Sequence, residues 1–256
     1  MKLSIRLQYF LAMLLFLQIF TGCNDNDSNH RVIIDPPPVQ TTFDLVTVGP
    51  ISAFGSVISN GIDFNSDSAV VMINGEQGNV SDLRIGMIVS IRGTVLTNTG
   101  VATATEINYV DDVEGIITNI NTENNSLTVL GRTILVDELT AFEETTFETL
   151  AIGNIVQVSA QWRSQERLQA THIERKANQY MVGTRMQVKG EIEGLDTVLQ
   201  RFNIGSQICD YTGATLQLND ATLTNGMYVE VSSMMSLQDN ILVLDQIQAR
   251  DRDRDR

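Results

Sequence analysis

One short pattern occurs three times in this chain and limits what the chain can fold into. A leucine is followed three positions later by a glycine and then by an alternating apolar stretch, in Leu83–Ile91, Leu150–Val158 and Leu223–Val231. The three glycines, Gly86, Gly153 and Gly226, lie 67 and then 73 residues apart. This spacing is too long for a solenoid repeat and fits a small domain copied in tandem. The pattern therefore predicts three consecutive small domains.

Short apolar segments separated by turn residues fill each repeat. Asn60-Gly61 and Asn74-Gly75 separate such segments in the first repeat, and Asn-Gly between apolar strands is a strong hairpin signal. Gly131-Arg132 is the matching turn in the second repeat. Each unit is thus predicted to contain five short strands, with the leucine–glycine element before the fourth. We interpret the recurring glycines as turn residues that need a positive φ, and the leucines as residues whose side chains fill the core.

The number of strands for this length indicates the fold class. Five strands in about 65 residues favour a small barrel of the OB type, with a split β-sandwich as the alternative. The fold prediction is an all-β chain of three tandem five-stranded OB-like barrels, at residues 49–112, 113–180 and 181–249, with no long helix after residue 40. The acidic segment Glu138–Thr149, which contains two phenylalanines, is predicted to be a loop or short helix between strands three and four.

The N-terminus carries the marks of an export signal. Lys2 and Arg6 precede the apolar run Leu7–Phe20, which is too short to span a bilayer comfortably. The following Gly22-Cys23 resembles the bacterial lipobox, in which the cysteine receives a diacylglyceryl group and signal peptidase II cuts before it. Residues 1–22 are therefore predicted to be a lipoprotein signal peptide and Cys23 a lipidation site. An ordinary signal peptide with a chance cysteine is the alternative.

Low-complexity segments flank the three units. Residues 23–48 are predicted to form a tether, which Pro36–Pro38 stiffen towards polyproline II. His30 lies in this tether and is interpreted as a solvated linker residue. Asn24 follows the cysteine in place of the aspartate usually linked with inner-membrane retention, which favours the outer membrane. Residues 250–256 alternate Arg and Asp, have nothing to bury and are predicted to be a disordered tail.

The charge of the chain bears on its partners. The formal net charge is −14, and each of the three units is acidic. Nucleic-acid binding depends on Lys and Arg neutralising phosphates, so this charge opposes a nucleic-acid partner. It fits a soluble exported portion. If Cys23 is modified, Cys209 has no intramolecular partner and is interpreted as a buried strand residue.

The repeats and the lipobox together resemble a family of bacterial envelope lipoproteins with tandem β-barrel domains classified only as a domain of unknown function. The segments that carry the resemblance are Gly49–Ser56, the three leucine–glycine elements and Val113–Ile117, and it covers nearly all of residues 49–250. It implies a fold and a location in the cell envelope. It transfers no active site, because the matching motifs are structural.

A search for catalytic chemistry finds no recognised motif. There is no Gly-x-Ser-x-Gly elbow, P-loop or His-Glu-x-x-His, and two histidines exclude a His-rich metal site. His172 is interpreted as a locally packed or solvated strand residue. The adjacent pairs Asp111-Asp112 and Glu143-Glu144 are not expected to converge, because neighbours on a strand face opposite sides. No catalytic residue, metal or cofactor is assigned.

Trp162 is the one candidate ligand contact. It lies beside Arg163 after the fourth strand of the second unit, where it is predicted either to stack on a ligand or to cap its own barrel. The leading hypothesis is a non-catalytic lipoprotein that is anchored through Cys23, faces the periplasm and binds an envelope protein or glycan. A carboxylate-dependent envelope hydrolase is the runner-up, and an OB-type nucleic-acid binder is third.

Overall fold

Strand pairing closes three consecutive segments of the chain into rings of five strands. The computed structural model describes residues 41–163 and 167–251. In each ring the first strand pairs with the second and the fourth, and the second pairs with the third. The fifth strand closes the ring, antiparallel to the fourth and parallel to the third. The all-β prediction and the prediction of small OB-like barrels are confirmed; this closure is not that of a split sandwich.

Barrel one contains seven strands. They are β1 (Thr42–Ala53), β2 (Val57–Ser59), β3 (Ile62–Asn65), β4 (Val70–Ile73), β5 (Glu76–Gly78), β6 (Ile88–Leu96) and β7 (Ala102–Tyr109). The ring is β1–β2–β3–β7–β6, and the β4–β5 hairpin adds to it along β7. A short 3₁₀ helix, Val80–Asp82, leads into the recurring leucine.

Barrel two repeats this arrangement with six strands. They are β8 (Val113–Asn121), β9 (Ser126–Val129), β10 (Arg132–Leu135), β11 (Ala141–Glu143), β12 (Ile155–Trp162) and β13 (Arg167–Ala177). The acidic segment predicted to be a loop or short helix forms β11, which lies parallel to β13, and the 3₁₀ helix Phe147–Thr149.

Barrel three has eight strands because two of its ring strands are interrupted. They are β14 (Met186–Glu191), β15 (Glu193–Asp196), β16 (Arg201–Ile204), β17 (Gln207–Asp210), β18 (Thr215–Gln217), β19 (Tyr228–Ser233), β20 (Ile241–Val243) and β21 (Gln246–Ala249). Strands β14 and β15 together form the first ring strand, and β20 and β21 together form the fifth. Strand β18 occupies the position of β4 and β11, a short extra strand that the sequence did not predict.

The predicted hairpin turns are present, with one shift of register. Asn60 and Gly61 have φ values of +52° and +75°, and the Asn74-Gly75 turn is of the same kind. In the corresponding turn of barrel two, between β9 and β10, the residues with positive φ are Leu130 and Gly131, so the predicted turn at Gly131-Arg132 is wrong by one residue. Arg132 begins β10 instead, with its side chain buried.

The hydrophobic cores divide the molecule unequally. Barrel one has a core of its own, with Phe64, Ile91 and Tyr109 among its fully buried side chains. Barrels two and three share one continuous core. Strands β8 and β14 also pair with each other, so a single sheet runs from barrel two into barrel three. All three barrels belong to one compact unit, Gln40–Arg256.

Candidate functional site

A pocket on the outside of barrel two is the candidate binding site. It has a volume of about 650 Å³ and lies between the end of β10, β11 and the 3₁₀ helix Phe147–Thr149. We call it the acid-rimmed pocket; its lining residues are Asn125, Val136, Asp137, Glu138, Leu139, Phe142, Thr146, Phe147 and Glu148. The segment is recognisable in the sequence as acidic and as containing two phenylalanines, but its composition predicts no role.

The loops around the pocket are held in place by local hydrogen bonds. The Asp137 side chain accepts a hydrogen bond from the Leu139 amide at 2.9 Å, which fixes a tight turn. The Thr140 hydroxyl donates to the carbonyl of Ala170 on β13 at 3.0 Å and so attaches this turn to the barrel. On the other side, Thr146 and Thr149 form a capping box around the 3₁₀ helix. The pocket is therefore preformed.

The lining combines an apolar floor with acidic edges. Phe142 and Phe147 are half-buried and pack against the shared core, whereas Leu139 is 88% exposed. Asp137, Glu138 and Glu148 are exposed, and none of the lining residues is Lys or Arg. The backbone N–H of Glu148 and the side chain of Thr146 donate hydrogen bonds that lower the pKa of the Glu148 carboxyl. This edge stays negatively charged at neutral pH.

A buried aspartate joins the three barrels. The Asp111 carboxylate is fully buried and accepts hydrogen bonds from Gln157 of barrel two at 2.8 Å and Gln187 of barrel three at 2.7 Å. It also accepts one from Asn74 of barrel one at 3.3 Å, and the Asn74 side chain accepts one from the Asp111 amide at 3.0 Å. We call Asp111, Asn74, Gln157 and Gln187 the Asp111 cluster. A charge removed from water is tolerated here because each barrel supplies a donor.

Glu114 lies between two members of this cluster, opposite Gln157 on one side and Gln187 on the other. Burial, followed by the negative charge of Asp111, raises the pKa of Glu114 from 4.5 to about 7. Lys176 and Arg185 oppose this shift and Glu174 adds to it. Perturbed carboxylates occur at active sites and in structural clusters alike, and Asp111 has the hydrogen-bond partners of a structural group.

The junction between barrels two and three, the second junction, is built around Arg132. This side chain is 2% exposed and donates to the carbonyl of Lys189 through Nε at 3.2 Å and Nη2 at 2.7 Å. Its guanidinium carbon lies 4.8 Å from the centre of the Trp162 ring, and burial lowers the pKa of Arg132. Trp162 in turn meets Tyr228 of barrel three edge-on, at 5.8 Å between ring centres.

Trp162 contacts residues of two barrels. Its ring packs against Arg132 of barrel two and Tyr228 of barrel three, so Trp162 lies at the second junction. The face over which Arg132 lies is the type of surface on which a sugar would stack. Trp162 does not line the acid-rimmed pocket.

The junction between barrels one and two, the first junction, has polar contacts. Arg84 Nε donates to Glu143 at 2.5 Å, and His172 Nε2 lies 3.5 Å from the other oxygen of Glu143. His172 is 1% exposed, and within the described part of the chain neither ring nitrogen makes a hydrogen bond. Burial is the main cause that lowers the pKa of His172, against the opposing effect of Glu143. The Ser159 hydroxyl accepts a hydrogen bond from the Ile88 amide at 2.9 Å.

The recurring glycines occupy equivalent turns. Gly86, Gly153 and Gly226 have φ values of +87°, +95° and +85°, and each amide donates to the carbonyl of an isoleucine on the first ring strand. The environments differ, because a Cβ on Gly86 would overlap the carbonyl of Thr171 in barrel two. A Cβ on Gly153 or Gly226 would meet no atom.

Of the three remaining sequence-predicted residues, the structure describes Cys209. Cys23 and His30 lie outside the described residues. Cys209 is buried in barrel three, and burial strongly raises the pKa of its thiol. In residues 41–163 and 167–251, no three side chains of His, Cys, Asp or Glu form a group that could hold a metal ion. Among the same residues, no helix has the length and apolar character that a membrane crossing requires.

The burial of Asp111 and Arg132 and the partial burial of Glu114 were not predicted from the sequence. The two residues of the Asp111-Asp112 pair diverge as expected of neighbours: Asp111 points to the glutamines, and Asp112 accepts from the amide of Ala160 at 2.7 Å. A weak signal for the cluster was present. Gln157 is a polar residue between the apolar residues Val156 and Val158.

Comparison with known proteins finds one family, which is a domain of unknown function. Residues 114–174 match a family model described as a domain of unknown function, DUF5666. No curated protein matches the chain. A solved structure, "drosophila Unr CSD456", aligns at 14% identity over 66% of this chain and 79% of its own length, and its TM-score of 0.23 supports no conclusion. Barrel two, which holds the acid-rimmed pocket, is thus similar to a domain whose function is unknown.

Proposed function

We propose that this chain is a non-catalytic binding module, anchored in the bacterial cell envelope through a lipid on Cys23. The observation that carries the proposal is the acid-rimmed pocket: a preformed concave site with aromatic side chains at its floor and charged groups at its edge. Such a combination is typical of ligand sites. The lipobox and the signal-like N-terminus support the anchor, and both lie outside the described residues.

The arrangement of the barrels supports a rigid scaffold. A shared core, a continuous sheet and the Asp111 cluster join the units, so the pocket is presented on a fixed platform. Residues 42–48, predicted to belong to the tether, are instead the first part of β1, because they pair with β6. The tether that precedes β1 would hold this platform in the periplasm, with the outer membrane favoured over the inner. The partner class that we propose is an envelope protein, and a glycan is the alternative.

The anchor is tested by changing its attachment residue. Cys23→Ser should remove acyl label from the protein and shift it from the membrane fraction to the soluble periplasmic fraction, because a serine cannot receive the thioether-linked lipid. Ser28→Ala, in the same polar segment, is a matched control that should leave both unchanged. Membrane association and acyl labelling of Cys23→Ser equal to those of wild type would reject the lipid anchor.

The non-catalytic part is tested on envelope polymers. The mature protein, incubated with purified peptidoglycan and with unfolded envelope proteins, should release no products. Product release that is lost in Glu114→Gln, the carboxyl with a pKa of about 7, would establish the hydrolase alternative instead.

A further inference from the structure

We infer that the acid-rimmed pocket binds a basic protein segment that inserts an apolar side chain between Phe142 and Phe147. The inference rests on the proposed function and specifies the chemistry of its partner. The cavity volume of about 650 Å³ is enough for one or two side chains and the backbone that carries them.

The floor of the pocket selects an apolar group. Phe142 and Phe147 are only half-buried, and Val136 extends the same surface. Leu139 lies at the mouth with 88% of its surface exposed, so it is available to pack against an apolar side chain that enters the pocket. An aliphatic or aromatic side chain placed between the two rings would remove this surface from solvent.

The rim selects positive charge. Asp137, Glu138 and Glu148 surround the floor, and no basic lining residue neutralises them. The neighbouring Glu144 is exposed as well, and the chain as a whole carries a net charge of −14. A segment with Lys or Arg on either side of its apolar residue would meet carboxylates at both edges, whereas an anionic polymer would be repelled.

The pocket is specific to one of three related barrels. Phe147 stands three residues before the recurring leucine of barrel two; the same position is Val80 in barrel one and Asp220 in barrel three. The fold does not require an aromatic residue there, since the other two barrels form without one. The feature therefore belongs to barrel two rather than to the architecture that all three share.

Three peptides test the inference on the chain from residue 23 onward carrying Cys23→Ser, which retains the whole compact unit. The probe is acetyl-Arg-Phe-Arg-Leu-Arg-amide with a fluorescent label. Its comparators are an acidic version with Glu in place of Arg, and a basic version with Ser in place of the apolar residues. Fluorescence anisotropy at low ionic strength should show saturable binding of the probe alone. Backbone amide NMR should place the shifts at Phe142 and Phe147.

Matched variants separate the pocket from the overall charge. The double variant Glu138→Gln, Glu148→Gln should bind the probe about threefold to tenfold more weakly, as expected for the loss of two surface ion pairs. Asp44→Asn with Glu76→Gln, two exposed carboxylates of barrel one, removes the same charge and should change affinity less than twofold. Leu139→Ser should also weaken binding, and because Leu139 is exposed this variant keeps its fold.

Three outcomes would overturn the inference. Equal weakening by both charge pairs would show that the probe responds to net charge alone. Amide shifts outside the pocket would place the site elsewhere. Binding of N,N′-diacetylchitobiose, but not of the probe, would identify a glycan site. None of these results bears on the lipid anchor, whose test is the fractionation of Cys23→Ser.

Discussion

The first and second junctions join the same kind of barrel by different physical means. At the first, the half-buried Arg84 and Glu143 and the buried His172 bridge two separate cores. At the second, Arg132 is fully buried, and the barrels share one core and one sheet. The comparison indicates that barrels two and three form a single stability unit. Barrel one is attached to this unit by polar contacts, with the Asp111 cluster as the link common to all three.

The largest effect should come from the second junction. Arg132→Ala removes a buried side chain and leaves the Lys189 carbonyl without its two donors, so we expect a loss of about 3–5 kcal/mol in the free energy of unfolding. Arg84→Ala is the comparison, because Arg84 is 43% exposed and its ion pair should contribute about 1 kcal/mol or less. Urea denaturation followed by circular dichroism measures both. Similar losses in the two variants would mean that the junctions do not differ as described.

The second-largest loss of stability is expected from substitution of the recurring glycines. Gly153→Ala introduces strain from its positive φ alone, expected to cost about 1–2 kcal/mol. Gly86→Ala adds an overlap with the Thr171 carbonyl across the first junction, for a total of about 2–4 kcal/mol. Thermal melts of both variants give the difference. If Gly86→Ala costs no more than Gly153→Ala, the first junction yields to a single methyl group and is looser than the structure indicates.

The sequence predicted local features of the fold better than it predicted the junctions. Apolar alternation, Asn-Gly turns and a repeated glycine are local signals, and they locate the strands, the hairpins and the three positive-φ turns. Arg132 next to Gly131 has the composition of a solvent-exposed turn. It is buried only because barrel three supplies the Lys189 carbonyl, which is 57 residues away in the sequence.

The candidate site shows the same limit. The acidic segment with Phe142 and Phe147 was recognisable from composition, but its cavity depends on β11 pairing with β13. Trp162 attracted attention as a residue beside Arg163, whereas its contacts are with Arg132 and with Tyr228 of the next barrel. Contacts between barrels are set by tertiary packing, and the sequence of a single chain carries little information about them.

A third effect concerns pH at the second junction. The folded-state pKa of Glu114 is raised to about 7, so folding binds a proton that the unfolded chain releases near pH 4.5. Stability is therefore highest below about pH 4.5 for this group and is lost as pH rises through 7. Glu114→Gln should stabilise the protein at about pH 8 by about 2 kcal/mol and flatten this dependence. Urea midpoints across the pH range measure it; a destabilised variant at high pH would show that the carboxylate is favourably paired.

The smallest effect is the pH dependence of stability at the first junction, where stability falls as the pH decreases. Burial lowers the pKa of His172 below 6.5, so the unfolded state binds the proton first and stability falls as pH decreases below 6.5. The charges that face the imidazole are Glu143 and Glu174, which favour the proton, and Arg84, which opposes it. The His172→Gln variant cannot titrate at this position and should lose less stability than wild type between about pH 6.5 and pH 5.

Measuring the His172→Gln substitution in the Glu114→Gln background removes the opposing contribution of the second junction. If the Glu114→Gln protein with His172 intact gains stability as the pH falls over this interval, the pair with Glu143, at 3.5 Å, outweighs the cost of burying the charged ring.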